Sequence, residues 1–136
     1  MFNDRPLKFR LALIAVVSVF VLLGCERPVS FSSQVQPILN NACISCHSGS
    51  GEGVTQTKLA LDNYESVMQG TKLGPVVVPG SAVSSSLYLV INHLVDTKIQ
   101  MPPHHDNKFA QGEGRALTTE QIEVIKNWID QGANNN

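Results

Sequence analysis

The stretch NNACISCHSGSG, residues 40–51, decides how the rest of the chain is interpreted. It places Cys43 and Cys46 three positions apart, and His47 follows directly after the second cysteine. Three chemistries use such a triplet: a zinc site, a thiol–disulfide couple and the covalent attachment of haem. The sequence around the triplet separates these possibilities.

Zinc and thiol chemistry both lack supporting features in this sequence. A structural zinc ion takes four ligands, but Cys25 closes an apolar leader, and His104 and His105 are adjacent, which is poor spacing for one tetrahedral ion. A Cys-x-x-Cys redox motif usually follows a strand and opens a helix, where the first thiol becomes acidic. Here the motif follows a helical pattern and no βαβ pattern surrounds it. The remaining thiol alternative is a plain surface disulfide.

Covalent haem attachment accounts for the spacing. Two thiols three residues apart can reach the two vinyl groups on one edge of a porphyrin as thioethers, and the next residue then points its imidazole at the iron. The motif therefore predicts one haem c, attached through Cys43 and Cys46, with His47 as the proximal iron ligand.

Met101 is the predicted second axial ligand. It stands in Gln100-Met101-Pro102-Pro103, 54 residues after His47. Proline disfavours the helical region for the residue before it, so Met101 is expected to be extended. A stiff Pro-Pro loop lowers the entropy cost of holding a weak thioether ligand on iron.

The other candidates for this position have simpler explanations. Met68 lies on a predicted helix and is interpreted as a core gap-filler. His93 follows an apolar helix face and is interpreted as a helix-end residue. His104 and His105 follow Met-Pro-Pro directly, so they are the alternatives to Met101, and they are otherwise expected to be solvated loop residues.

The front of the chain predicts export. A start containing Arg5, Lys8 and Arg10 precedes the uncharged run LALIAVVSVFVLLG, residues 11–24, which is shorter than the roughly 20 apolar residues of a membrane span. The run ends in Leu22-Leu23-Gly24-Cys25, which resembles the lipobox of bacterial lipoproteins. That resemblance implies a signal peptide over residues 1–24 and acylation of Cys25. Because Glu26 rather than aspartate follows, it also implies sorting to the outer membrane. A plain signal peptide with an incidental cysteine is the alternative.

Charge and composition argue against nucleic-acid binding. Cleavage after residue 24 would remove three of the 10 basic and one of the 11 acidic residues, so the net charge would change from −1 to −3. No basic stripe is present. The cleaved chain would keep two of its five phenylalanines, and a large apolar cofactor would complete a core so short of aromatic side chains.

Helical patterns predict an all-α domain over residues 31–133, after a tether over residues 25–30. Apolar residues at positions 31, 35, 38, 39 and 42 share one face of a first helix, which Ser32 or Ser33 caps. Asp62 and Glu65 predict a capping box for a helix over residues 63–69. A further helix is predicted to start within residues 84–86, with Leu87, Val90, Ile91 and Leu94 on one side.

The last predicted helix follows Thr118 and has its reciprocal capping residue at Gln121. Its apolar face contains Ile122, Ile125, Trp128 and Ile129, Gly132 ends it, and residues 133–136 are predicted to be a frayed tail. The segments between helices are predicted to be a glycine-rich loop over 48–54, an ordered loop over 73–81 and a long functional loop over 96–116.

Together these segments resemble the planctomycete-type cytochrome c domain, a branch of the class I cytochromes. The likeness runs over residues 31–133. It rests on Cys43-Ile44-Ser45-Cys46-His47, Lys58-Leu59-Ala60-Leu61-Asp62, Gly74-Pro75, Val78-Pro79-Gly80-Ser81, Met101-Pro102-Pro103, Trp128-Ile129 and Gly132-Ala133.

The resemblance implies a class I cytochrome c-like fold, in which the N- and C-terminal helices pack around one covalently bound haem. It assigns Cys43 and Cys46 to the thioethers, His47 to the proximal position and Met101 to the distal one. In class I cytochromes a Gly-Pro carbonyl often accepts the N–H of the proximal imidazole, which makes Pro75 the candidate acceptor here.

The expected function is electron transfer between redox partner proteins of the cell envelope, by a His/Met-ligated carrier anchored to the membrane through an N-terminal lipid. No catalysis is expected of such a carrier, because both axial sites of the iron are filled. One alternative is a haem-based ligand sensor or peroxidase-like enzyme with a displaceable Met101, in which His104 or His105 gives acid–base help. The other is a thiol–disulfide redox protein.

Overall fold

The structure is a computed structural model that describes residues 27–103 and 116–136. Within these ranges α1 begins as a π-helical turn, Phe31–Val35, and continues as an α-helix, Gln36–Ala42. The later helices are α2, Glu52–Thr57, α3, Tyr64–Gln69, α4, Ser86–Ile91, and α5, Thr119–Asp130; Ala82–Ser84 and Thr97–Ile99 are 3-10 turns. These two ranges contain no strand, only an isolated bridge between Thr71 and Gly74. The prediction of an all-α domain is confirmed.

The predicted leader, Cys25, His104 and His105 lie outside the described residues. Among the residues that are described, no helix combines the length and the apolar character needed to cross a bilayer.

The start of α1 differs from the prediction. Ser30 caps the helix, because its hydroxyl accepts a hydrogen bond from the backbone N–H of Ser33 at 3.3 Å. The predicted caps Ser32 and Ser33 already lie inside the first turn, which starts at the buried Phe31. Burial of that aromatic ring therefore fixes where the helix begins.

The C-terminal end of α1 leads directly into the cysteine motif and lies against the core. Val35 and Leu39 are fully buried on the predicted apolar face, and Pro37 falls in the first turn of the α-helical part, where its missing N–H costs little. The helix ends where the backbone N–H of Cys43 donates to the carbonyl of Leu39 at 2.9 Å.

The first and last helices meet through an aromatic cluster of Phe31, Tyr64 and Trp128. The ring of Phe31 lies 5.3 Å from that of Tyr64, edge to face, and 5.2 Å from that of Trp128. The capping box of Thr118 and Gln121 forms as predicted at the start of α5. With Ile125 and Ile129 fully buried beside Trp128, this contact supplies much of the core.

The C-terminal tail is bound to the start of α1, so the prediction of a frayed tail is wrong. Asn136 accepts the backbone N–H of Phe31 at its Oδ1 atom, at 2.8 Å, and that of Ser32 at its carbonyl, at 2.9 Å. The first N–H groups of a helix have no acceptor within the helix, and Asn136 supplies an acceptor to two of them. The carbonyl of Asn134 accepts the indole N–H of Trp128 at 2.9 Å, which holds the tail against α5.

The tail also involves residues that the sequence assigns to the tether. Val29 donates its backbone N–H to the side-chain oxygen of Gln131 at 2.7 Å, and its carbonyl accepts the side-chain N–H of Asn136 at 3.3 Å. The chain is therefore joined to the helical domain from Val29 onward.

The segment before α4 is an ordered loop, as predicted. The buried Ser85 hydroxyl accepts the backbone N–H of Val78 at 2.8 Å and donates to the carbonyl of Ser81 at 2.9 Å. The same loop is tied to α5 by Gly80, whose N–H donates to the carbonyl of Ile129 at 2.7 Å. α4 then begins within the predicted range, but it ends at Ile91 and leaves Leu94 exposed.

Two other local predictions are wrong. The segment over residues 48–54 is predicted to be a glycine-rich loop, but α2 begins inside it at Glu52 and continues to Thr57. A helix of six residues is too short to show a periodic apolar pattern. The capping box of α3 uses Asn63 and Ser66 instead of Asp62 and Glu65. Val67 is the fully buried residue of this helix.

Replacing Asn136 by alanine should weaken the attachment of the tail to α1. The change removes the acceptor of the Phe31 N–H and the donor to the Val29 carbonyl, so we expect a loss of about 1 kcal/mol in the free energy of unfolding. The midpoint of urea unfolding of the purified protein measures this. Asn135→Ala is the matched control, because Asn135 is exposed and makes no hydrogen bond within the described part of the chain. Equal midpoints for the two variants would contradict the tail contact.

Candidate functional site

The cysteine motif forms a tight turn at the end of α1. The carbonyl of Cys43 accepts the backbone N–H groups of both Cys46, at 3.1 Å, and His47, at 2.9 Å. One acceptor therefore holds all three residues of the motif in a single turn. Both cysteines are partly buried free thiols.

The imidazole of His47 is oriented by a main-chain acceptor. Its Nδ1 atom lies 3.1 Å from the carbonyl oxygen of Leu59. The backbone carbonyl of His47 accepts the N–H of Leu61 at 2.8 Å. A carbonyl oxygen can only accept, so the Nδ1 atom carries the proton. The lone pair then lies on Nε2, which is the atom left to bind a metal.

This arrangement corrects the prediction for Pro75. The structure gives the acceptor role to the carbonyl of Leu59, and Pro75 is exposed beside Gly70. The reason is α2, followed by a left-handed turn at Lys58 with φ of 68°, which together return the chain to the ring soon after the motif. Sequence reasoning missed Leu59, although Lys58-Leu59-Ala60-Leu61 is one of the segments that carry the family resemblance.

Gly53 lies directly against the imidazole. A Cβ atom added to Gly53 would lie 2.5 Å from the Cε1 atom and 2.7 Å from both ring nitrogens of His47. No side chain fits at that distance, so the ring packs on the bare backbone of α2. The orientation of the ring is thus set by Gly53 on one side and by the Leu59 carbonyl at its edge.

The thiol of Cys43 is a weak acid in this position. Burial, together with a smaller effect of the nearby Cys46, raises its pKa to about 12. The Cys43 side chain also packs against the hydrophobic core. At neutral pH it is therefore a protonated thiol with an apolar environment.

The structure holds Met101 by its backbone beside α4. Its N–H donates to the carbonyl of Val90 at 3.1 Å, and its partly buried side chain packs against the same core as that of Cys43.

Met68 packs on this core from α3, in agreement with its interpretation as a gap-filler. His93 takes a left-handed conformation, with φ of 55°, just after α4 ends.

These residues fit a covalently bound haem. The turn provides two thiols and, next to them, an imidazole whose Nδ1 atom is engaged and whose Nε2 atom carries the lone pair. Among the described residues, no three or more His, Cys, Asp or Glu side chains gather into a group able to hold a metal ion.

Comparison with known proteins gives a match to a family of cytochromes. Residues 43–105 match the model of the family described as Planctomycete cytochrome C. The matched region starts at the first cysteine of the motif and includes α2, α3, α4 and Met-Pro-Pro. No curated protein and no solved structure was found to match the chain.

Replacing Gly53 by alanine should destabilise the protein and alter the environment of His47. Glycine to alanine inside a helix normally stabilises a protein by about 0.5–1 kcal/mol. Here the added methyl group would overlap the imidazole, so we expect a lower free energy of unfolding and a changed absorption spectrum of the purified protein.

Gly49→Ala is the control for this change. Gly49 has φ of 51° and open space around its Cβ position, so alanine there adds backbone strain of about 1–2 kcal/mol without touching His47. The spectrum should stay that of the wild type. A more stable Gly53→Ala protein with an unchanged spectrum would show that the ring does not pack on Gly53.

Proposed function

Since this chain carries a planctomycete-type cytochrome c domain, we propose that it is a single-haem electron carrier of the cell envelope. The observation that carries the proposal is the proximal arrangement: two thiols in the turn at the end of α1 and an imidazole with its Nε2 lone pair available. Haem, when bound, supplies a reversible one-electron change at its iron. The chain would take one electron from a reduced partner protein and pass one electron to an oxidised partner.

Cys43 and Cys46 are proposed to hold the haem. Each thiol would add across one vinyl group, with a new bond from sulfur to one vinyl carbon and the thiol hydrogen transferred to the other. This addition needs no oxidant or reductant. Burial of Cys43 against the core supports the assignment, because an apolar environment suits a thioether better than a thiolate.

Met101 is proposed as the distal ligand. Its backbone N–H is bonded to the carbonyl of Val90 and its partly buried side chain packs on the hydrophobic core, which supports a fixed position for the thioether. A thioether from Met101, together with the His47 imidazole, would favour the reduced state of the iron and raise the reduction potential. With both axial positions filled, the chain would exchange electrons and bind no substrate at iron.

The thiol–disulfide alternative is disfavoured by the chemistry of Cys43. Such proteins depend on a thiolate formed at neutral pH, and this requires a lowered pKa. The pKa of Cys43 is instead raised to about 12, mainly because the thiol is buried. A thiol of this kind attacks disulfides slowly.

Anchoring through Cys25 is proposed from the resemblance of residues 22–25 to a lipobox. Only residues 26–28 would then separate the acylated cysteine from Val29, which is hydrogen-bonded into the domain. Three extended residues span about 10 Å. The carrier would therefore work close to its membrane, and we propose that its partners are redox proteins at or near that membrane.

Replacing Met101 by alanine should open the iron to external ligands while the haem stays covalently bound. We expect the oxidised variant to lose the sulfur-to-iron absorption band and the reduced variant to bind carbon monoxide readily. Met68→Ala is the matched control, since it removes the other methionine that packs on the core and should keep the band.

The same measurements on the wild type separate the carrier from the sensor or peroxidase-like alternative. A wild-type protein that lacks the band at neutral pH and binds carbon monoxide would contradict the carrier and favour an open site.

Replacing Cys43 and Cys46 together by alanine should give a colourless chain that accumulates poorly in the cell envelope. We expect little folded protein, because the domain would lose the haem that the two cysteines are proposed to hold. The measurements are the amount of exported protein and its cooperativity in thermal unfolding. Ser45→Ala, which changes an exposed residue inside the same motif, is the control. A folded, cooperative and colourless double variant would contradict the proposal.

A further inference from the structure

Thr57 connects the two parts of the chain that hold the proximal imidazole. Its hydroxyl donates a hydrogen bond to the carbonyl of Gly53 at 2.6 Å and accepts the backbone N–H of Leu59 at 3.1 Å. Gly53 packs against the ring of His47, and the carbonyl of Leu59 bonds its Nδ1 atom. We call residues 53–59 the proximal clip.

The hydroxyl of Thr57 stabilises the proximal clip at the point where α2 ends, because α2 ends within the clip. After Thr57 the chain reverses through Lys58, a non-glycine residue in the left-handed region, which costs about 1–2 kcal/mol. The Thr57 hydroxyl spans this reversal, and the Thr57 carbonyl accepts the N–H of Lys72 at 2.9 Å, which ties the clip to the next loop. The Thr57 side chain thus stabilises the backbone conformation in which the Leu59 carbonyl faces the imidazole of His47.

We propose that Thr57 is a positioning residue that sets how strongly His47 donates electrons to iron, and thereby the reduction potential of the domain. The inference rests on the proposed function, since it takes the Nε2 atom of His47 as the iron ligand. The hydroxyl of Thr57 is hydrogen-bonded to the Gly53 carbonyl and the Leu59 N–H, and not to the imidazole. It acts by holding the Leu59 carbonyl at the Nδ1–H group.

The direction of the effect follows from the hydrogen bond. A carbonyl that accepts the Nδ1–H increases the basicity of the imidazole, and a more basic ligand stabilises the oxidised iron. Loss of the Thr57 hydroxyl loosens the Leu59 carbonyl and weakens that bond. The oxidised state then becomes less stable, and the reduction potential rises.

The test compares Thr57→Val with Thr57→Ser in the purified, haem-loaded protein. Valine keeps the shape of threonine but removes both hydrogen bonds of the hydroxyl, whereas serine keeps them. At a fixed potential we expect valine to increase the ratio of reduced to oxidised protein about threefold to tenfold, where tenfold corresponds to 59 mV for a one-electron couple. The Nδ1–H proton of His47 should also exchange faster with solvent. Serine should restore wild-type values.

Thr55→Val is the matched control. Thr55 lies on the same helix, and its hydroxyl donates to the carbonyl four residues earlier, that of Gly51 at 3.0 Å, but it does not contact Leu59. We expect Thr55→Val to change the ratio of reduced to oxidised protein less than about twofold, well short of the tenfold change that corresponds to 59 mV. If Thr57→Val does not fold, Thr57→Ala gives the same contrast with serine.

The outcomes separate this inference from the proposed function. A haem-loaded Thr57→Val protein with the wild-type potential and wild-type exchange of the His47 proton overturns the inference alone. An equal shift in Thr55→Val also overturns it, because the effect would then come from α2 in general. A wild-type protein without covalent haem overturns the proposed function and the inference with it.

Discussion

The hydrogen bond from the Nδ1–H of His47 to the Leu59 carbonyl is the constraint on which the rest of the site depends. It fixes the tautomer of the imidazole and leaves the lone pair on Nε2, which the proposed iron ligation requires. To make this bond, the chain must leave the cysteine turn, form α2 against the ring and reverse at Lys58. The missing side chain of Gly53 allows that close approach.

The site was predictable from the sequence where its chemistry lies in side chains. Cys43, Cys46 and His47 are predicted by spacing alone, because thioether attachment and axial ligation need those residue types in that order. Leu59 could not be found in this way, since its contribution is a main-chain carbonyl that any residue possesses. The family resemblance pointed to Pro75 because it transfers a motif, whereas the acceptor is decided by the path of the backbone through α2.

The fold was predictable where helices are amphipathic and their buried faces are long enough to show a period. α1 and α5 were recognised for that reason, and the capping box of Thr118 and Gln121 was placed correctly. The ordered tail was not predictable from the sequence, because Asn136 accepts hydrogen bonds from the N–H groups of Phe31 and Ser32, over a hundred residues away in the chain. Such contacts depend on the assembled tertiary structure. The caps of α1 and α3 differ from the predicted ones by a few residues, because several neighbouring polar residues there are equally suited to cap a helix.

The two ends of the domain and its proximal site form one connected structure. The tail fastens the start of α1, the aromatic cluster joins α1 to α5, and the far end of α1 carries the cysteine turn. The central claim is that this turn holds one haem by covalent bonds. The most direct measurement is the intact mass of the exported protein after denaturation and reduction. The account predicts the mass of the processed polypeptide plus one haem. The mass of the polypeptide alone would contradict it.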